Sequence, residues 1–171
     1  MTKRKIILAF IAAGFLLLLG ASVFLMKQKQ NFKRSIAVIP EFCLPQAIDS
    51  LMFCHTQLSQ GKPVVIIYFH TECDFCHAKA QQLQQKTDTA GNIQWVFVSF
   101  AHNYSVNKFM ETYDLADIPN LVVLVDPQFL LYERLKVTAI PTSYIYDRRH
   151  RLVTVKRGAA KLETLIQLAN R

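Results

Sequence analysis

What this chain lacks narrows it first. It has no internal repeat and no low-complexity tract. It has no second CxxC and no HxxxH, so the four ligands of a closed zinc site are not laid out along it, and no metal site is expected. Cysteine is scarce: only four occur, Cys43, Cys54, Cys73 and Cys76. The net charge of +8 does not signal nucleic acid. Lys3, Arg4, Lys5, Lys27, Lys29, Lys33 and Arg34 flank one apolar run, and the remainder of the chain is nearly balanced.

That run, Ile6 to Met26, contains no charge at all. As a helix it would measure roughly 31 Å, about the thickness of the bilayer hydrocarbon. Gly20-Ala21-Ser22 offers only a weak cleavage site, and apolar residues continue past it, so an uncleaved anchor is favoured over a signal peptide. No cysteine follows closely enough for a lipid attachment. Basic residues flank both ends, so their count does not settle orientation. A short basic N-terminus usually stays in the cytoplasm, which puts the folded part outside. The expected layout is a cytoplasmic stretch at 1–5, an anchor at 6–26, a linker at 27–35 and one domain at 36–171. The flanking cations would meet lipid head groups.

Pro63 to Phe69 is a continuous, β-branched apolar run, which suits a central strand buried on both faces. The helix formers of His77 to Lys86 follow. Ile93 to Phe100 and Leu121 to Val125 read as strands. Ser105 to Tyr113 reads as a helix capped by Ser105, and Asp126-Pro127 opens a short helix to Leu135 with Pro at its first position. Thr142 to Tyr146 and Leu152 to Lys156 read as a hairpin around Asp147 to His150, before a last helix at Ala160 to Ala169. At the front, Ile36 to Leu44 and Leu51 to Thr56 read as two strands pairing across Pro45 to Ser50. Cys43 and Cys54 then lie near one another, as a structural disulfide, a second redox pair or buried thiols; the disulfide is slightly favoured. The class is α/β with a mixed sheet.

Cys73-Asp74-Phe75-Cys76-His77 sits where the buried strand turns into a helix. CxxCH also attaches c-type haem, but such segments are usually helical on both sides, and a strand precedes this one. A dithiol suits the place better. At a helix start the unpaired amides and the dipole favour a Cys73 thiolate. Cys76, one turn on, is more shielded. Cys73 can then attack a partner's disulfide while Cys76 waits to resolve the mixed disulfide. Further along, Thr138-Ala139-Ile140-Pro141-Thr142 places a proline at the first residue of a strand.

Strand, CxxC and Ile-Pro-Thr together resemble the thioredoxin superfamily. The unit between them carries Phe109, Tyr113, the strand at 121–125, Asp126-Pro127, Tyr132 and Val137. It resembles the pattern of membrane-anchored thiol-disulfide reductases of the TlpA/ResA type. That resemblance covers most of residues 36–171. It implies a thioredoxin-like fold: a mixed central sheet flanked by helices, with an N-terminal β-hairpin and an inserted α/β unit, preceded by one transmembrane helix. It implies a cis Ile140–Pro141 bond. It makes Cys73 the nucleophile, Cys76 the resolving thiol and Pro141 the docking element for a partner chain. Ile140 would pair with that chain through its backbone, with Asp74 and Phe75 on the meeting surface.

The chain departs from the thioredoxin pattern in places. Neither the tryptophan nor the proline of Trp-Cys-Gly-Pro-Cys is present, and Ile67 stands where thioredoxins bury an acid. Glu72, His70 and His77 are the candidates left to help deprotonate Cys76. His70 and His77 also read simply as surface side chains, and Trp95 reads as core. Arg148 to Arg151 reads as a solvated turn. Thr71 and Cys73 lack the Pro-x-x-x-Thr-x-x-Cys spacing of peroxiredoxins, which disfavours peroxidase activity. Asp74 and Glu72 put negative charge beside Cys73, which opposes the thiolate and predicts a reductant rather than an oxidant.

The expected function is disulfide reduction in exported proteins by a domain facing the periplasm or exterior from the inner membrane. Apocytochromes c are candidate substrates by family analogy. A membrane dithiol carrier would supply the electrons, and no cofactor is required. The alternative is a binding module that holds metal or haem through Cys73, Cys76 and a histidine.

Overall fold

The computed structural model describes residues 2–86 and 91–171; side chains at 2–10, 12, 29, 32 and 33 lie outside the description. The chain forms two compact units, Met1–Ser35 and Ile36–Arg171.

The first unit is one helix, α1 (Thr2–Ser35), and the helix continues through the residues expected as a linker. Its described apolar side chains, including Phe15 to Leu19 and Val23 to Met26, are exposed all round. Among the described residues, no helix is long and apolar enough to cross a membrane. The expected anchor at 6–26 begins among side chains outside the description.

The second unit is built on a five-stranded mixed sheet. β3 (Val64–Phe69), β4 (Gln94–Ser99) and β5 (Leu121–Val125) run parallel. β6 (Thr142–Tyr146) pairs antiparallel with β3, and β7 (Leu152–Arg157) antiparallel with β6. The spatial order is β5-β4-β3-β6-β7. All six residues of β3 are buried, as a central strand covered on both faces requires. Successive side chains point to opposite faces. Val65, Ile67, Phe69, Trp95, Phe97 and Ile145 therefore join one core with α2 (Asp74–Gln85), α3 (Asn103–Thr112) and α5 (Leu162–Ala169). The opposite face carries α4 (Leu130–Leu135), whose Tyr132 ring meets Tyr68 edge-on at 5.5 Å.

The front of the domain differs from the expected pair of longer strands. Only β1 (Cys43–Pro45) and β2 (Met52–Cys54) pair, with Cys43 opposite Cys54. The preceding segment runs along β7 instead, where the Leu152 amide donates to the Ala37 carbonyl at 2.8 Å and Val38 bridges Arg151. On the other side Gln46 bridges Leu124 and the Ala47 amide donates to the Val123 carbonyl at 2.9 Å. Part of each edge of the sheet is thus paired, which removes that backbone from pairing with another chain.

Two helix starts also differ. α3 begins at Asn103, with His102 rather than Ser105 at the cap. α4 begins at Leu130, so Pro127 lies in the turn before it. The Asp126 carboxylate closes that gap: it accepts the amides of Leu130, Leu131 and Tyr132 at 2.7, 2.9 and 2.9 Å, and the buried Tyr68 hydroxyl at 2.5 Å.

Candidate active site

β3 delivers the chain to the CxxC. Beyond Phe69, the Cys73 amide donates to the His70 carbonyl at 3.2 Å, which turns the chain into α2. Cys73 is the N-cap, and its carbonyl accepts the amides of Cys76 at 2.8 Å and His77 at 3.0 Å. Both thiols are free. Cys73 is half-buried and packs against the edge of the core, whereas Cys76 is 2% exposed inside it.

The register of β6 on β3 brings the proline loop to the same end of the sheet. Thr142 lies opposite Tyr68, so Ile140 and Pro141 sit just beyond the strand end that carries the CxxC. The Ile140–Pro141 peptide is cis. Ile140 packs half-buried on the core that holds Cys76. The Thr142 hydroxyl donates to the Ala139 carbonyl at 2.6 Å, tying the loop down. Asp74 and Phe75 are both exposed beside Cys73, Phe75 at 60%.

Cys43 and Cys54 form a disulfide across the hairpin. Among the described residues, no group of three or more His, Cys, Asp and Glu side chains is gathered to hold a metal.

Burial pushes the Cys76 thiol well up from its ordinary value, and a hydrogen bond with Cys73 adds to the rise. A backbone hydrogen bond at His70 and the charge of Lys79 work the other way. The three side chains expected to help Cys76 face elsewhere. Glu72 is exposed. His70 Nδ1 accepts the Glu72 amide at 3.3 Å, and its ring lies 5.0 Å from Phe100. His77 is half-buried rather than exposed: its Nδ1 meets the Tyr113 hydroxyl at 2.8 Å, and its ring lies against Phe109.

Lys79 was missed in the sequence. It is only 3% exposed, and its Nζ donates to the Ala160 carbonyl. Burial lowers its pKa to about 8. The signal was available in the spacing: Cys76, Ala80 and Leu83 form the buried stripe of α2, and Lys79 falls inside that stripe.

A model of the AhpC/TSA family matches residues 37–155. No curated protein matches the chain. Among solved structures, a secreted disulfide oxidoreductase of Mycobacterium tuberculosis, homologous to Escherichia coli DsbE, is similar: 21% identity over 80% of this chain and 96% of that one, with a TM-score of 0.65. StoA from Bacillus subtilis is 18% identical over 78% of this chain and 99% of its own, with a TM-score of 0.62. The exposed lipoprotein thioredoxin of Streptococcus pneumoniae is 25% identical over 74% of this chain and 96% of its own, with a TM-score of 0.58. The fold is thioredoxin-like.

Proposed function

The chain belongs to the AhpC/TSA family, and from that premise we propose that it is a membrane-anchored, extracytoplasmic thiol-disulfide oxidoreductase that reduces disulfides in exported proteins. One observation carries the reading: a free dithiol at a strand-to-helix junction, with Cys73 accessible and Cys76 buried one turn below it. Cys73 at the helix N-cap attacks the partner's disulfide. Cys76 then displaces the partner from Cys73, leaving a Cys73–Cys76 disulfide. Two electrons pass to the partner, and no cofactor is needed. Pro141 and the Ile140 backbone dock the partner's chain beside Cys73, with Asp74 and Phe75 on the same surface.

A membrane dithiol carrier returns the electrons. The uncharged run Ile6–Met26 anchors the protein in the lipid of the inner membrane, with the domain in the periplasm or exterior. The apolar side chains exposed around α1 support the anchor, since such a helix needs a partner surface or lipid to cover it. Apocytochromes c are candidate substrates by family analogy.

The test is the reduction potential of the Cys73–Cys76 couple in the full chain, read by alkylation and mass spectrometry in glutathione buffers. A value near about −270 mV supports a reductase, and one near about −120 mV makes the protein a disulfide-forming oxidant. Absence of any reversible two-electron couple overturns the dithiol reading. Metal analysis and an absorbance spectrum of the same sample test the binding-module alternative.

A further inference from the structure

Resolution of the mixed disulfide needs a Cys76 thiolate, and the fold makes that thiolate costly. Cys76 is buried, and its proton must go to a group that can reach it. The buried face around it holds few such groups. Ile67, the β3 residue in the same buried cluster, is apolar. Among the described residues, Asp126 is the one fully buried carboxylate, and it is committed to the α4 amides and Tyr68 on the opposite face of the sheet.

Lys79 is different. It lies three residues after Cys76 on α2, and side chains at that spacing are neighbours, about 5–6 Å apart at Cβ. The two groups interact electrostatically. Lys79 is the one cation buried among the described residues, yet it has no carboxylate bonded to it. Glu163 of α5 acts on it from a distance but is paired with Lys86. Its Nζ donates to the Ala160 carbonyl, and the exposed Lys161 lines the same cavity. That cavity, of about 180 Å³, opens between Phe75 and Ala160 and gives the amine a route to water. A lysine held like this releases its proton at about pH 8, well below the ordinary lysine range.

We propose that Lys79 is the proton acceptor for Cys76 in the resolving step. The proposal rests on the thiol-disulfide exchange reading above. In the mixed disulfide, the proton of Cys76 passes to the neutral Nζ of Lys79. The Cys76 thiolate attacks Sγ of Cys73, the new S–S bond forms, and the bond from Cys73 to the partner's sulfur breaks. The partner leaves as a thiolate and takes the proton from the Lys79 ammonium, directly or through water. The dithiol loses two electrons and two protons overall, and the partner's disulfide gains both.

The experiment uses the reduced full chain and oxidised glutathione, with acid quenching and mass spectrometry to follow the glutathione adduct on Cys73. Wild type should resolve the adduct with a rate that climbs through about pH 8. Lys79→Met should prolong the adduct at pH 7 by at least about tenfold and flatten the climb. Lys79→Arg keeps the charge but has no lone pair to accept a proton, so it should be as slow as Lys79→Met. Resolution restored by arginine would show that charge alone suffices and overturn the proposal. Unaltered resolution in Lys79→Met would overturn it too. If neither variant folds, ¹⁵N titration of Lys79 in wild type decides: its midpoint should be lower in the oxidised than in the reduced protein, and equal midpoints would refute the coupling. A wild type that never resolves its adduct would instead sink the exchange reading, and this proposal with it.

Discussion

Removing the Asp126 carboxylate should unfold more than one short helix. Asp126 is fully buried and has four donors: the amides of Leu130, Leu131 and Tyr132, and the hydroxyl of Tyr68. Asp126→Ala loses the cap of α4, which costs about 1–2 kcal/mol. It also strands the Tyr68 hydroxyl, itself 0% exposed, at about 1–3 kcal/mol. The expected loss is about 3–4 kcal/mol. Tyr68→Phe deletes the hydroxyl but leaves three amides on the carboxylate, so it should cost only about 1 kcal/mol. In the double variant nothing is stranded at position 68. The loss in the double variant should then fall short of the sum of the two single losses by about 1–2 kcal/mol. Urea unfolding of the oxidised protein, followed by the fluorescence of the fully buried Trp95, measures all three. An Asp126→Ala loss below about 1 kcal/mol, or strict additivity, would refute this account of the turn.

Replacing both Cys43 and Cys54 by Ala opens a loop whose ends are separated by 11 residues, which should cost about 3 kcal/mol by loop entropy and lower the urea midpoint, with Cys73–Cys76 still oxidising reversibly. Stability of the oxidised protein should rise with pH between about 8 and 10, because the unfolded chain then binds a Lys79 proton that the folded chain has released; the slope is on the order of 1 kcal/mol per pH unit, and Lys79→Met should flatten it. In the reduced protein the raised Cys76 pKa acts with the opposite sign above the ordinary thiol range, so the reduced form should gain less over that window. Asp74→Ala removes a negative charge beside Cys73 and should raise the reduction potential; an unchanged or lower potential would sink the charge argument.

The sheet was legible because its signals are local. The apolar runs at 64–69, 94–99 and 121–125 are long, β-branched and bounded by polar turns, and buried strands leave little choice about such residues. The Cys43–Cys54 pair was legible because a hairpin sets its own register. What stayed hidden depends on side chains from distant parts of the chain. Ser105 is a good cap by residue type, yet α3 starts two residues earlier, since Val106, Phe109 and Met110 must reach the core. Asp126-Pro127 looked like a helix opening; only the fold shows the carboxylate reaching past the turn to Leu130. Residues 36–39 carry strand-like residues, but the edge of β7 claims them before the hairpin can.

The same contrast explains why Lys79 was overlooked. In the sequence it is one polar residue in a helix rich in Ala and Gln, where a lysine ordinarily faces water. Its burial follows from α5 being laid across α2: the Leu162 amide donates to Gln82 Oε1 at 3.1 Å, which fixes the 158–161 loop over the Lys79 side chain. Burying a cation in this way, with no carboxylate bonded to it, lowers stability at neutral pH relative to a neutral side chain of similar length. A purely structural role would be served as well by methionine, which fills the same space without that cost. If stability alone governs position 79, Lys79→Met is more stable than wild type at pH 7 and exchanges disulfides as fast. If the amine serves Cys76, the same substitution raises stability and slows resolution together, and that opposition between the two readouts is the signature of a residue kept for chemistry.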